Sequence, residues 1–145
     1  MINNVHEHIV KELDNSVRTD TTIVVVAITF DLISLCINSQ AALMGGLGDS
    51  AVNVGGTIIF VVFLIMTLLF NGLAIWGLLV GRGTRMKLIG KLLEMYDDNE
   101  VGKYYDKSLL SNYSTRYILF GAVIIVLALT AIIVPMTMRL LSVQF

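Results

Sequence analysis

Apolar positions along this chain collect into three long runs separated by polar, charged stretches. The first starts near Thr21 with TTIVVVAITFDLISLCI and continues through Asn38, Ser39 and Gln40 to about Leu43. The second covers Thr57–Val80 and the third Tyr117–Leu141. A helix needs about 20 residues, at a rise of about 1.5 Å each, to cross a hydrocarbon core of about 30 Å, and every run reaches that length. None alternates at period two, which excludes the strands of a membrane barrel. The pattern predicts an all-α integral membrane protein with spans at about residues 21–43, 57–80 and 117–141.

Shorter stripes flank the spans. Ile2, Val5, Ile9, Leu13 and Val17 recur every three to four positions and predict an amphipathic helix over residues 1–20, at the membrane interface or packed on a neighbour. Asn4 and Glu7 have nearly the spacing of a capping box. His6 and His8, two apart, point to different sides of such a helix and do not share a metal ion. Within the segment 82–116, Leu88, Ile89, Leu92, Leu93 and Tyr96 make a second stripe beside Arg85, Lys87 and Lys91, so this segment too is read as carrying an amphipathic helix. Residues 21–145 are thus one membrane domain, with residues 1–20 as an appendage.

Composition agrees with the pattern. Of 145 residues, 56% are hydrophobic and 14% charged, against about 25% charged in soluble domains, and the mean hydropathy is +0.81. The net charge of −1 gives no footprint for nucleic acid. Cys36 is the single cysteine, so neither an intrachain disulfide nor a thiolate metal site is available. Where the charges lie matters more than their sum. Lys11, Arg18, Arg82, Arg85, Lys87, Lys91, Lys103, Lys107 and Arg116 all fall on one side of the three spans, and only Arg139 falls on the other. The positive-inside rule therefore predicts a multi-pass cell-membrane protein with a cytoplasmic N-terminus and an external C-terminus. All five tyrosines lie in or beside the 82–116 segment, and Trp76 lies near the same end of span two, as expected of an interfacial aromatic belt. Before the first run, four acidic residues face two basic ones, unlike the start of a signal peptide, so the run is read as a retained span.

Several local patterns carry less. Glu94, Asp97, Asp98 and Glu100 are dense enough to gather a divalent cation, but they lack the spacing of an EF-hand and read as a solvated turn in which Asp97 or Asp98 caps the next helix. The glycines of the 44–56 loop lack the strand and soluble helix that a dinucleotide fingerprint needs, and are read as a turn. Gly77 and Gly81 form a GxxxG pair suited to close helix packing, and Ala41/Ala42 with Gly45/Gly46 repeat that spacing. Pro135 is expected to kink or end the third span.

Asp31 is the residue with a candidate chemical role. It lies about ten residues into span one, near mid-bilayer, where a carboxylate costs about 2.5–3.5 kcal/mol to insert. Ala27, Asp31, Ser34 and Asn38 share one helix face, and Thr67 and Asn71 share a face of span two at matching depth. No base lies at that depth to neutralise Asp31. It is therefore either a protonated helix–helix contact to Asn71, an ionised ligand of a bound cation, or part of a hydrated path.

Three helices are not expected to enclose this polar face alone, so a homo-oligomer with the face turned inward is expected. The preferred reading is a small homo-oligomeric cation-permeable channel or transport protein with Asp31, Ser34, Asn38, Thr67 and Asn71 along the pathway. The alternative is a non-catalytic scaffold or accessory subunit binding a larger protein. An interfacial lipid enzyme is disfavoured because span two has no carboxylate and no phosphate loop is present. Neither catalysis nor a cofactor is expected.

Overall fold

The computed structural model describes residues 2–44, 50–98 and 108–142, and all of them are helical: α1 (Ile2–Met44), α2 (Ser50–Asp98) and α3 (Ser108–Ser142). All three are long and apolar enough to cross a membrane. At about 1.5 Å per residue, the 43, 49 and 35 residues of α1, α2 and α3 make rods of roughly 65, 74 and 53 Å, well beyond a hydrocarbon core of about 30 Å.

The flanking stripes are not separate helices. Residues 2–20 run without a break into the first apolar run, because α1 contains neither Gly nor Pro to interrupt it. Residues 82–98 likewise continue α2. The two extensions lie side by side. His6 Nε2 and the Tyr96 hydroxyl share a 2.7 Å hydrogen bond, and Arg85 Nη2 donates to Ser16 Oγ at 3.0 Å. The side of α1 turned inward there is His6, Ile9, Leu13, Ser16, Val17 and Asp20, while Val5 is exposed. On α2 the expected stripe of Leu88, Ile89, Leu92, Leu93 and Tyr96 is buried or half-buried.

Helix ends also differ from what the residue pattern predicts. Asn4 lies inside α1 rather than capping it, and Asp97 and Asp98 are the last two residues of α2, with the residues after them outside the described ones. Ser50–Gly56, expected as loop, are helical, while Gly45–Asp49 and the Asn99 and Glu100 end of the acidic stretch lie outside the described residues. Pro135 does not end α3, which continues to Ser142.

The helices meet along seams spaced alternately three and four residues. On α1 the seam is Asp20, Val24, Ala27, Asp31, Ser34, Asn38 and Ala41; on α2 it includes Phe60, Thr67, Asn71, Ala74, Leu78 and Arg85; on α3, Tyr117, Ile124, Ala131 and Pro135. A 3.5-residue repeat is the signature of left-handed helix packing, with side chains of one helix set between those of the next. The faces turned away from the seams are dominated by Leu, Ile, Val and Met on the apolar runs of α2 and α3, including Leu69, Leu73, Ile118 and Leu140. On α1, Thr21, Thr22, Thr29 and Gln40 stand among the outward Val, Leu and Ile. Polar residues inside and apolar residues outside invert the soluble pattern, and lipid is the solvent that tolerates such an exterior.

Candidate functional site

Side-chain contacts fix one register through the whole bundle. His6 meets Tyr96, Asp20 meets Arg85, and Asp31 meets Asn71, so α1 and α2 run antiparallel with residue numbers summing to roughly one hundred. Asp20 also meets Tyr117, and the apolar core joins Ala27 to Ile124, so α3 runs parallel to α1 about 97 positions later.

At the centre, Asn71 Nδ2 donates to Asp31 Oδ1 at 2.6 Å and to the Thr67 carbonyl at 2.9 Å. Thr67 in turn closes its hydroxyl onto the Phe63 carbonyl at 2.8 Å. The Phe30 and Phe70 rings, each adjacent in sequence to one partner, lie with centroids 4.4 Å apart. Asp31 is 1% exposed, Asn71 4%, and Ser34, Asn38 and Thr67 are each 0% exposed. One chain therefore encloses the polar face by itself, contrary to the expectation that three helices could not. Small neighbours make this possible: Ala27, Ala41, Ala42, Ala74 and Ala131 are all buried on the seams and let the helices approach closely.

This enclosure leaves polar atoms without partners. Among the described residues, Asp31 Oδ2, Ser34 Oγ, both polar atoms of the Asn38 amide and Asn71 Oδ1 are buried with no hydrogen bond. Such a group typically costs about 1–3 kcal/mol. An interhelical polar contact in a membrane contributes only about 0.6 kcal/mol on average, so the Asp31–Asn71 bond does not offset the burial of its surroundings.

A second polar layer, which the residue pattern did not point to, lies eleven residues earlier on α1. Asp20 Oδ2 accepts from Arg85 Nη2 at 2.7 Å and from the Tyr117 hydroxyl, so one carboxylate joins α1, α2 and α3. The Arg85 guanidinium carbon also lies 5.3 Å from the centroid of the Tyr117 ring. Both charged side chains are about 95% buried. Gly81 makes room for the carboxylate, since a Cβ there would lie 2.7 Å from Asp20 Oδ1. At Gly77 a Cβ would make only an ordinary 3.5 Å contact with Ile23. The GxxxG pair is thus an α1–α2 contact whose second glycine accommodates a charge. Asp20 could have been found from the sequence, because it extends the 24–27–31–34–38 seam by one further step; its place ahead of the apolar run concealed it.

Between the two polar layers sits a plug of Val24, Ala27, Ala74, Leu78 and Ile124. At the far end, Arg139 of α3 donates to Thr57 Oγ1 of α2 and lies over the Phe60 ring, 5.2 Å from its centroid. Among the described residues no group of three or more His, Cys, Asp or Glu side chains converges. Glu94, Asp97 and Asp98 lie on the last turns of α2, and all three are exposed. Tyr117, expected as an interfacial anchor, and Tyr96, expected as an anchor and on an amphipathic stripe, both hold helices together through their hydroxyls.

Compared with protein-family models, curated proteins and solved structures, the chain matches none. Its class is therefore read from the fold: an all-helical protein of three long apolar helices, able to cross a membrane, around a polar interior.

Proposed function

We propose that this chain is a small membrane transport protein that passes a proton or small cation by way of Asp31, with its N-terminus cytoplasmic and its C-terminus outside. The observation that carries the reading is the group of buried polar atoms without partners around Asp31, on both α1 and α2. Ionisable side chains at membrane depth are costly and mark ion or proton pathways when they face an interior. Ser34 and Asn38 extend the polar face outward from Asp31, and Thr67 and Asn71 line it from α2. The Val24–Leu78–Ile124 plug closes the inner side in this conformation, so transport requires that layer to open or hydrate.

The path runs through the bundle of a single chain. A homo-oligomer would carry such paths in parallel, each with its own carboxylate, and no second copy is needed to cover Asp31. The test is ion and proton flux into liposomes holding purified protein, wild type beside Asp31→Asn, with particle size measured for both. Loss of flux with assembly intact supports the proposal; equal flux removes Asp31 from the path.

A scaffold role is the second reading, favoured by the helical extensions of α1 and α2. Residues 4–20 and 82–98 pair beyond the apolar runs and offer a two-helix surface to a partner protein. A partner purifying at fixed stoichiometry from native membranes, with no flux in liposomes, would favour it.

A further inference from the structure

Pro135 bears directly on the polar centre. Lacking an N–H, it cannot close the helical bond to the carbonyl of Ala131 four residues earlier. Ala131 and Pro135 are both buried on the inner face of α3, so the released carbonyl lies on that face. The register that joins Asp20 to Tyr117 and Ala27 to Ile124 sets Ala131 level with Ser34 and Pro135 level with Asn38. The carbonyl therefore lies at the level between Ser34 and Asn38, where the unpartnered side-chain atoms of α1 are found.

Helical side chains lean toward the N-terminus of their own helix. Asn38 on α1 and Asn71 on the antiparallel α2 thus lean toward each other along the axis, converging on the level of Ser34 and Thr67. Asp31 leans by the same rule toward Ala27, below this level, and only its bond to Asn71 ties it to the layer as a lower rim. The unpartnered atoms on these faces of α1 and α2 are Asp31 Oδ2, Asn71 Oδ1, Asn38 Oδ1 and Ser34 Oγ, with Asn38 Nδ2 as the single nitrogen. Adding the Ala131 carbonyl gives five oxygens.

We infer that Asp31, Ser34, Asn38, Asn71 and the Ala131 carbonyl released by Pro135 form a binding site for one dehydrated monovalent cation. A proton on Asp31 would turn Oδ2 into a donor to one neighbouring acceptor and leave the other oxygens as they are. A bare cation is attracted to all of them. Charge selects the valence: one carboxylate faces the site, and Asp20 is already paired with Arg85, so a +1 ion is neutralised whereas a +2 ion leaves a net buried charge. Carbonyls freed from helical bonding are tolerated at membrane depth where they face a protein interior or cavity.

The inference rests on the transport reading for the purpose of the ion, but binding can be measured without flux. The experiment is the unfolding midpoint of purified full-length protein in detergent, titrated with NaCl, LiCl, KCl or CaCl2 against choline chloride at constant ionic strength. A saturable rise with at least one alkali cation, absent with choline and CaCl2, is expected. Asp31→Asn should abolish it. Pro135→Ala, which restores the N–H to a good helix former, should weaken the apparent affinity at least tenfold while the protein stays folded, and Asn38→Leu should do the same. Identical midpoints in all salts, a response to Ca²⁺ alone, or an unchanged affinity in Pro135→Ala would each overturn the site. Cation-dependent stability without flux would leave the site and remove transport; proton flux with no cation dependence would do the reverse.

Discussion

Removing the Asp20 carboxylate is the sharpest test of how the three helices are held together. In Asp20→Ala, Arg85 keeps its charge, and its side chain is only 4% exposed. Breaking a buried pair from one side typically costs about 3–5 kcal/mol, because the remaining charge is left uncompensated. The Tyr117 hydroxyl loses its acceptor at the same time. Removing both charges is different in kind. Asp20→Ala with Arg85→Met leaves no buried ion and fills part of the space with an apolar chain, so it should be less destabilised than Asp20→Ala alone. Equilibrium SDS titration in mixed micelles, on wild type, both single variants and the double variant, gives the coupling. It should be about 2 kcal/mol or more, in the range seen for residues sharing one network. Additive losses, or an Asp20→Ala cost below about 1 kcal/mol, would refute the claim that this carboxylate and guanidinium depend on each other. Tyr117→Phe completes the set, since a hydrogen bond to a charged group contributes about 1.5–3 kcal/mol.

Other expectations follow from single contacts. Gly81→Ala should cost about 1–3 kcal/mol because its Cβ would meet Asp20 Oδ1 at 2.7 Å, whereas Gly77→Ala, with only a 3.5 Å contact to Ile23, should be neutral or stabilising by about 0.5–1 kcal/mol through helix propensity; the same SDS titration separates them. Asn71→Ala removes the donor to Asp31 Oδ1 and should destabilise the bundle by about 1–3 kcal/mol, while Asn71→Asp should be worse because it sets two carboxyls together; equal costs would count against the observed bond. Tyr96→Phe deletes the His6 contact far from both polar layers, so hydrogen exchange should quicken at the start of α1 and the end of α2 and stay unchanged near Asp31.

Much of the central layer is legible in the residue pattern alone. Asp31, Ser34 and Asn38 fall on one face by spacing, and two antiparallel spans of known ends bring Asn71 to the depth of Asp31. The Asp20 layer is not legible in the same way. Its partners are 65 and 97 residues away, and they meet only if α1, α2 and α3 are each rotated to a particular angle about their own axes. Gly81 shows the same limit from the other side: the glycine spacing announces a close approach, but not that a carboxylate occupies the gap.

Run length, hydropathy and charge placement are properties of contiguous residues, so three helices long and apolar enough for a bilayer, and the charge asymmetry between their ends, follow from the residue order alone. Helix continuity across residues 20–21 needs only the absence of Gly and Pro, whereas the pairing of the α1 and α2 extensions depended on tertiary contact. Enclosure of Asp31 within one chain was likewise decided by packing. Alanines on the seams let three helices close around a polar core, and nothing in the hydropathy of any single helix records how near its neighbours will come.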